Sequence, residues 1–174
     1  PTAMAFFLIV IAQHNFLAFH TLAELFAIVI SFVMFAVAWS TRRFSTNSFL
    51  LFLACGYLWI GSLDLMHTLV YKGINVVVEG SGNLSVQFWI ATRFSEALLL
   101  FAAPFASSKK QNGSLLVVAF GVVAIGLMAL VLTGNFPTGF VDGKGLTDFK
   151  IYSEYLIILI LALAIIALFR QGSS

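Results

Sequence analysis

The stretch LDLMHTLVY, residues 63–71, places Asp64 and His67 one helical turn apart inside a long apolar run. An ionised carboxylate in hydrocarbon costs about 2.5–3.5 kcal/mol even on lenient insertion scales. Two further pairs repeat the pattern. His20 and Glu24 stand at i,i+4 and Arg93 and Glu96 at i,i+3, so each pair shares one helix face. Glu154 completes the set of ionisable groups inside apolar segments once loop and segment-end charges are set aside, His14 at the edge of the first segment being read as interfacial. Imidazole and carboxylate donors together suit zinc, iron or another borderline divalent ion, with His20, Glu24, Asp64, His67, Glu96 and Glu154 as candidate ligands. Di-iron carboxylate bundles use a lone Glu from two helices and Glu-x-x-His from two others. Here Glu96 and Glu154 are the lone acids, Asp64-x-x-His67 nearly matches the paired motif, and His20-x-x-x-Glu24 is its reverse. Four carboxylates against the single Arg93 leave a pocket with a charge of −3, to be neutralised by protons or a cation.

The elements that must position these groups follow from composition. The 174 residues are 61% hydrophobic and 9% charged, with a mean hydropathy of +1.05. Soluble domains carry about 25% charged residues. The expected fold is therefore an all-α, polytopic transmembrane helical bundle of about six spans, read as a single domain over 1–174. A net charge of +2 does not favour nucleic acid as a partner; membrane lipid is the expected surrounding. Cys55 lies inside an apolar run and is expected to be a small apolar filler. The chain opens on Pro1 and closes on Gln171-Gly172-Ser173-Ser174, which reads as a domain cut from a longer protein, and no signal peptide is visible.

Six apolar segments are predicted, at about 3–18, 19–40, 47–70, 85–106, 114–133 and 150–170. The first is short for a span, as if its beginning were missing; the others have the ~20 residues that cross ~30 Å of hydrocarbon. Arg42, Arg43, Lys109, Lys110 and Arg170 all fall on one side if the odd-numbered spans run outward. The positive-inside rule then puts both termini in the cytoplasm. Loops 71–84 and 134–149, which mix Lys72, Lys144 and Lys150 with Glu79, Asp142 and Asp148, face outside. The Gly-rich stretch GNFPTGFVDGKGLTDF, 134–149, is expected to form turns, with Thr147 or Asp148 capping the last helix.

At 1.5 Å per residue from the outer helix ends, His20, Glu24, His67 and Glu154 lie within roughly 7 Å of the outer surface. Asp64 and Arg93 lie about 10 Å deep and Glu96 about 15 Å. Charged residues in spans turn to a bundle interior or a wet cavity and mark function by default. One outward-opening pocket between the second, third, fourth and sixth segments would gather them all. Trp59, Trp89, Tyr71, Tyr152 and Tyr155 lie on the same segments and suit an interfacial belt; Trp89 and Tyr152 are candidate pocket lining.

Other readings use the same residues. Intramembrane His, Asp and Glu also serve simply to tie helices together, as in a His67–Glu24 hydrogen bond or an Arg93–Glu96 pair. A haem could take His20 and His67 as axial ligands and Arg93 on a propionate, though the surplus carboxylates would repel propionates. A transporter or proton conductor would need a polar path, and the inner halves are Phe, Leu, Ile, Val and Ala. No nucleophile–base pair or HExxH motif is present, so this domain is not expected to be an enzyme.

The segments FHTLAELFAIVISF (19–32), AWSTRRF (38–44), YLWIGSLDLMHTLVYKG (57–73), FWIATRFSEALLL (88–100) and GLTDFKIYSEYLI (145–157) resemble, in order, the third of the numbered MASE families, the bacterial membrane-associated sensor domains. The resemblance covers 15–170. It implies an N-terminal input domain covalently linked to a cytoplasmic effector, a histidine kinase often with PAS domains or a diguanylate cyclase, and a homodimer in the full-length protein. The seven residues His20, Glu24, Asp64, His67, Arg93, Glu96 and Glu154 fall inside the matching stretches. FPTGFVDGKG departs from the cysteine–tyrosine loop expected of the family there, so it contributes no site residue. The expected output is a shift of the last helix, with Glu154 coupling the pocket to it.

Overall fold

A computed structural model describes residues 11–44, 47–74, 76, 82–106 and 111–172. Five long helices dominate the described residues: α1 (Phe16–Thr41), α2 (Ser48–Leu69), α3 (Gly82–Ala106), α4 (Gly113–Leu132) and α5 (Asp148–Gly172). Each is long and apolar enough to cross a membrane. The chain is a helical membrane bundle, as its composition predicts. Most of the predicted first segment, 3–10, lies outside the described residues, as do Glu79, Lys109 and Lys110.

Three asparagines set the helix starts. Asn15, Asn47 and Asn112 accept from the backbone N–H groups of Ala18, Leu50 and Leu115 at 3.0, 3.1 and 3.2 Å. Each thereby satisfies donors that have no partner within the helix. The cap at Asn15 moves the predicted 18/19 boundary back, because residues 16–18 belong to α1. Thr147 caps α5, its hydroxyl oxygen accepting from Lys150 N–H at 3.3 Å.

The helices form a row in which α1 packs on α2, α2 on α3 and α3 on α5, while α4 lies mainly against α2. Close approach at two glycines makes this possible. A Cβ on Gly61 would stand 2.9 Å from Cβ of Ser31 on α1, and one on Gly121 of α4 would stand 2.6 Å from the Trp59 ring. Small residues let membrane helices meet at backbone distance. Trp59 is consequently not a belt residue: it lies between α2 and α4 and donates to the Val117 carbonyl at 2.8 Å. Cys55 is buried and free, as expected of a filler.

The link between α4 and α5 holds a small antiparallel hairpin, β1 (Phe140–Val141) with β2 (Gly145–Leu146). Gly143 and Gly145 adopt φ of 79° and 90°, which favours glycine in this turn. The hairpin is tied to the start of α3. Asn83 accepts from Gly139 and Phe140 N–H at 2.8 and 3.0 Å, and Gln87 donates to the Phe136 and Pro137 carbonyls at 2.8 and 3.0 Å.

Candidate functional site

Because Gly61 brings α1 against α2, the N-terminal part of α1 lies over Asp64 and His67, and α3 closes the third side. Arg93 is the hub. Its Nη1 donates to Glu96 at 2.8 Å, and its Nη2 faces Asp64 at 3.2 Å and Glu24 at 3.7 Å. The Tyr57 hydroxyl donates to the other oxygen of Glu96 at 3.2 Å. One guanidinium thus draws carboxylates from three helices into one network. Asp64 is buried; Glu24 and Glu96 are partly so. Three carboxylates face one cation, a formal charge of −2 where −3 was expected.

Beside this network stand the two imidazoles. The buried His67 holds the Ser85 carbonyl of α3 at 2.8 Å through Nδ1. A carbonyl only accepts, so Nδ1 carries the hydrogen, and in the neutral ring the Nε2 lone pair is available. The His20 ring stacks on Tyr71, centroids 4.0 Å apart, and meets the His67 ring edge-on at 5.6 Å. Its Nε2 lies 3.7 Å from Glu24, and its buried Nδ1 has no hydrogen-bond partner among the described residues. Donor atoms of His20, Glu24 and His67 all lie within 4.8 Å of one another.

Six of the seven sequence-selected residues therefore meet, and Glu154 does not. It accepts a hydrogen bond from Lys150 at 2.8 Å, one turn earlier on α5, and α5 packs on α3 rather than on α1. Lys150, assigned from sequence to an outer loop, is buried inside α5 with its ammonium 3.0 Å from the centre of the Trp89 ring. Trp89 is thus occupied by a cation–π contact with α5. Tyr152 is 70% exposed. Among the described residues the four-helix di-iron pattern is not assembled either, since Asp64 and Glu96 turn to Arg93 and the converging donors are those of His20, Glu24 and His67. Tyr57 and Ser85 were missed, and Tyr71 was read only as a belt residue. Tyr71 was visible as the i+4 neighbour of His67, whereas nothing in the sequence pairs Tyr57 with Glu96 or Ser85 with His67.

The sequence matches the MASE3 family, described as a membrane-associated sensor domain, over residues 11–174. The chain belongs to this family. Neither the curated proteins nor the solved structures include a match. As a MASE3 domain with five apolar helices, it is a multi-pass membrane protein with a sensory input role.

Proposed function

We propose that this MASE3 domain senses a divalent transition metal, zinc or iron(II), through His20, Glu24 and His67 and reports it to a cytoplasmic kinase or cyclase module, in a homodimer. The observation that carries the reading is the convergence of those three donors within 4.8 Å from two helices. The Ser85 carbonyl supports it by holding the His67 ring in the tautomer a ligand needs. Two uncancelled negative charges beside the donors favour a divalent cation. The edge-to-face contact of His20 with His67, and the Tyr71 stack, favour a bare ion over a haem between the imidazoles.

The same geometry supports a signal. Donors about 2.1 Å from a tetrahedral metal stand roughly 3.4 Å apart. Donors that lie within 4.8 Å of one another would close by at most on the order of 1 Å, drawing the outer end of α1 towards α2. Helix α3 feels this through Ser85 and Arg93 and hands it to α5 through Trp89, under Lys150. Glu154 would then act by steadying Lys150, not by touching the ligand.

Titration calorimetry with zinc, iron(II), nickel and copper on the purified domain, with elemental analysis, tests the proposal. About one equivalent of one of these metals should bind, and Glu154→Gln should bind it unchanged. No heat and no co-purified metal for any of them would leave an organic ligand or a purely structural cluster as the better account.

We further propose that the helix ends carrying Arg42 and Arg170 face the cytoplasm, with the α4–α5 hairpin outside. Buried Cys55 leaves the background low. A cysteine replacing exposed Asp142 should react with an impermeant thiol reagent added to whole cells, and one replacing exposed Ser114 should not. The reverse pattern would overturn the orientation.

A further inference from the structure

At the end of α1 away from the polar cluster, a groove of about 420 Å³ runs between α1 and α2. Val29, Val33 and Val37 form one wall at four-residue spacing, each more than half exposed (56%, 54% and 59%), and Leu50, Leu51 and Ala54 form the other. From Val29 to the Arg42 end the groove is roughly 20 Å long at 1.5 Å per residue. One leaflet of hydrocarbon is about 15 Å thick. The groove therefore accommodates an extended acyl chain lying along α1.

Its mouth is not apolar. Arg42 stands there, its guanidinium 3.9 Å over the Trp39 ring and its Nη1 donating to the Trp39 carbonyl. Stacking on its own helix fixes the head in place while leaving further N–H donors for an oxyanion. Arg93 and Lys150 face carboxylates; among the described residues Arg42 has no ion-pair partner. Arg43 follows it, and Phe44 beside them is 90% exposed, an apolar anchor at the same level. A larger apolar groove, about 530 Å³ between α2, α3 and α4, has no charged residue along it and so supplies a comparison.

We infer that the α1–α2 groove binds one anionic glycerophospholipid, with an acyl chain along Val29, Val33 and Val37 and the phosphate on Arg42. A basic residue closing an apolar cleft between membrane helices is matched by a lipid with a negative headgroup at that depth. On the orientation proposed above this is the cytoplasmic leaflet. The site touches none of the metal donors, so it stands or falls separately from the sensing proposal.

Native mass spectrometry of the full chain, released from detergent with phosphatidylglycerol or phosphatidylcholine of identical acyl chains, tests it. Wild type should retain one phosphatidylglycerol per chain, preferred over phosphatidylcholine by roughly fivefold, the effect of one arginine at an anionic surface. Any lipid in the larger groove should show no headgroup preference. Arg42→Gln should abolish the preference, Arg42→Lys should keep part of it, and Val33→Trp should reduce retention of both lipids by filling the groove. Inorganic phosphate should not compete, because the acyl chain supplies the apolar contact. Equal retention of both lipids by wild type, or an unchanged preference in Arg42→Gln, would overturn the inference. So would a Val33→Trp variant that loses self-association while binding lipid normally, since the groove would then seat a second copy of the chain.

Discussion

His67→Ala should lower metal affinity by at least about 100-fold, the upper end of what losing an outer-shell partner alone costs. His67 is the donor most fully prepared for binding: buried, with Nδ1 committed to the Ser85 carbonyl and Nε2 available. His20→Ala should act in the same direction and also remove the ring stacked on Tyr71. Both imidazoles lie near helix ends, so membrane insertion should be unaffected in either variant. Calorimetry with the bound metal measures the affinity. A chimera carrying an intact cytoplasmic effector measures whether response is lost with it. Wild-type affinity in both variants would remove the metal from the account, and normal signalling by both would remove the pocket.

Arg93→Gln should destabilise the metal-free protein by about 3 kcal/mol, because it leaves Glu24, Asp64 and Glu96 without a counter-charge. Metal should restore much of that loss. A ligand at 100 times its dissociation constant contributes about 2.7 kcal/mol, and a cation beside Glu24 also replaces the missing positive charge. Metal affinity should be equal to or tighter than wild type. Thermal unfolding in detergent, with and without zinc, reads both effects. Glu96→Gln provides the contrast: Glu96 is engaged with Arg93 and Tyr57 rather than with the imidazoles, so metal affinity should hardly change. A variant Arg93→Gln as stable as wild type without metal would mean that the three carboxylates carry no net charge in the folded protein. The electrostatic case for a cation would then fail.

The sequence by itself determined the class of this protein and the level at which its polar groups lie. Composition sets the class, because long runs of Leu, Ile, Val and Phe place the chain in hydrocarbon, where apolar runs of ~20 residues satisfy their backbone polar groups internally as helices. Helical period sets the faces, so His20 with Glu24, Asp64 with His67 and Arg93 with Glu96 were legible as pairs. The asparagine caps were legible too, and Asn15 would have corrected the start of α1. Spacing along one helix says nothing about which neighbour that face meets. Only the tertiary structure decided that α5 packs on α3 away from α1, sending Glu154 to Lys150 and Trp89 to a cation–π contact. Packing also chose Ser85 for His67 and Tyr57 for Glu96, partners 18 and 39 residues apart in sequence. The physical reason lies in the range of the interactions. Burial in hydrocarbon and i,i+4 contact are local, while the close approach at Gly61 that brings α1 over His67 depends on two helices fitting together.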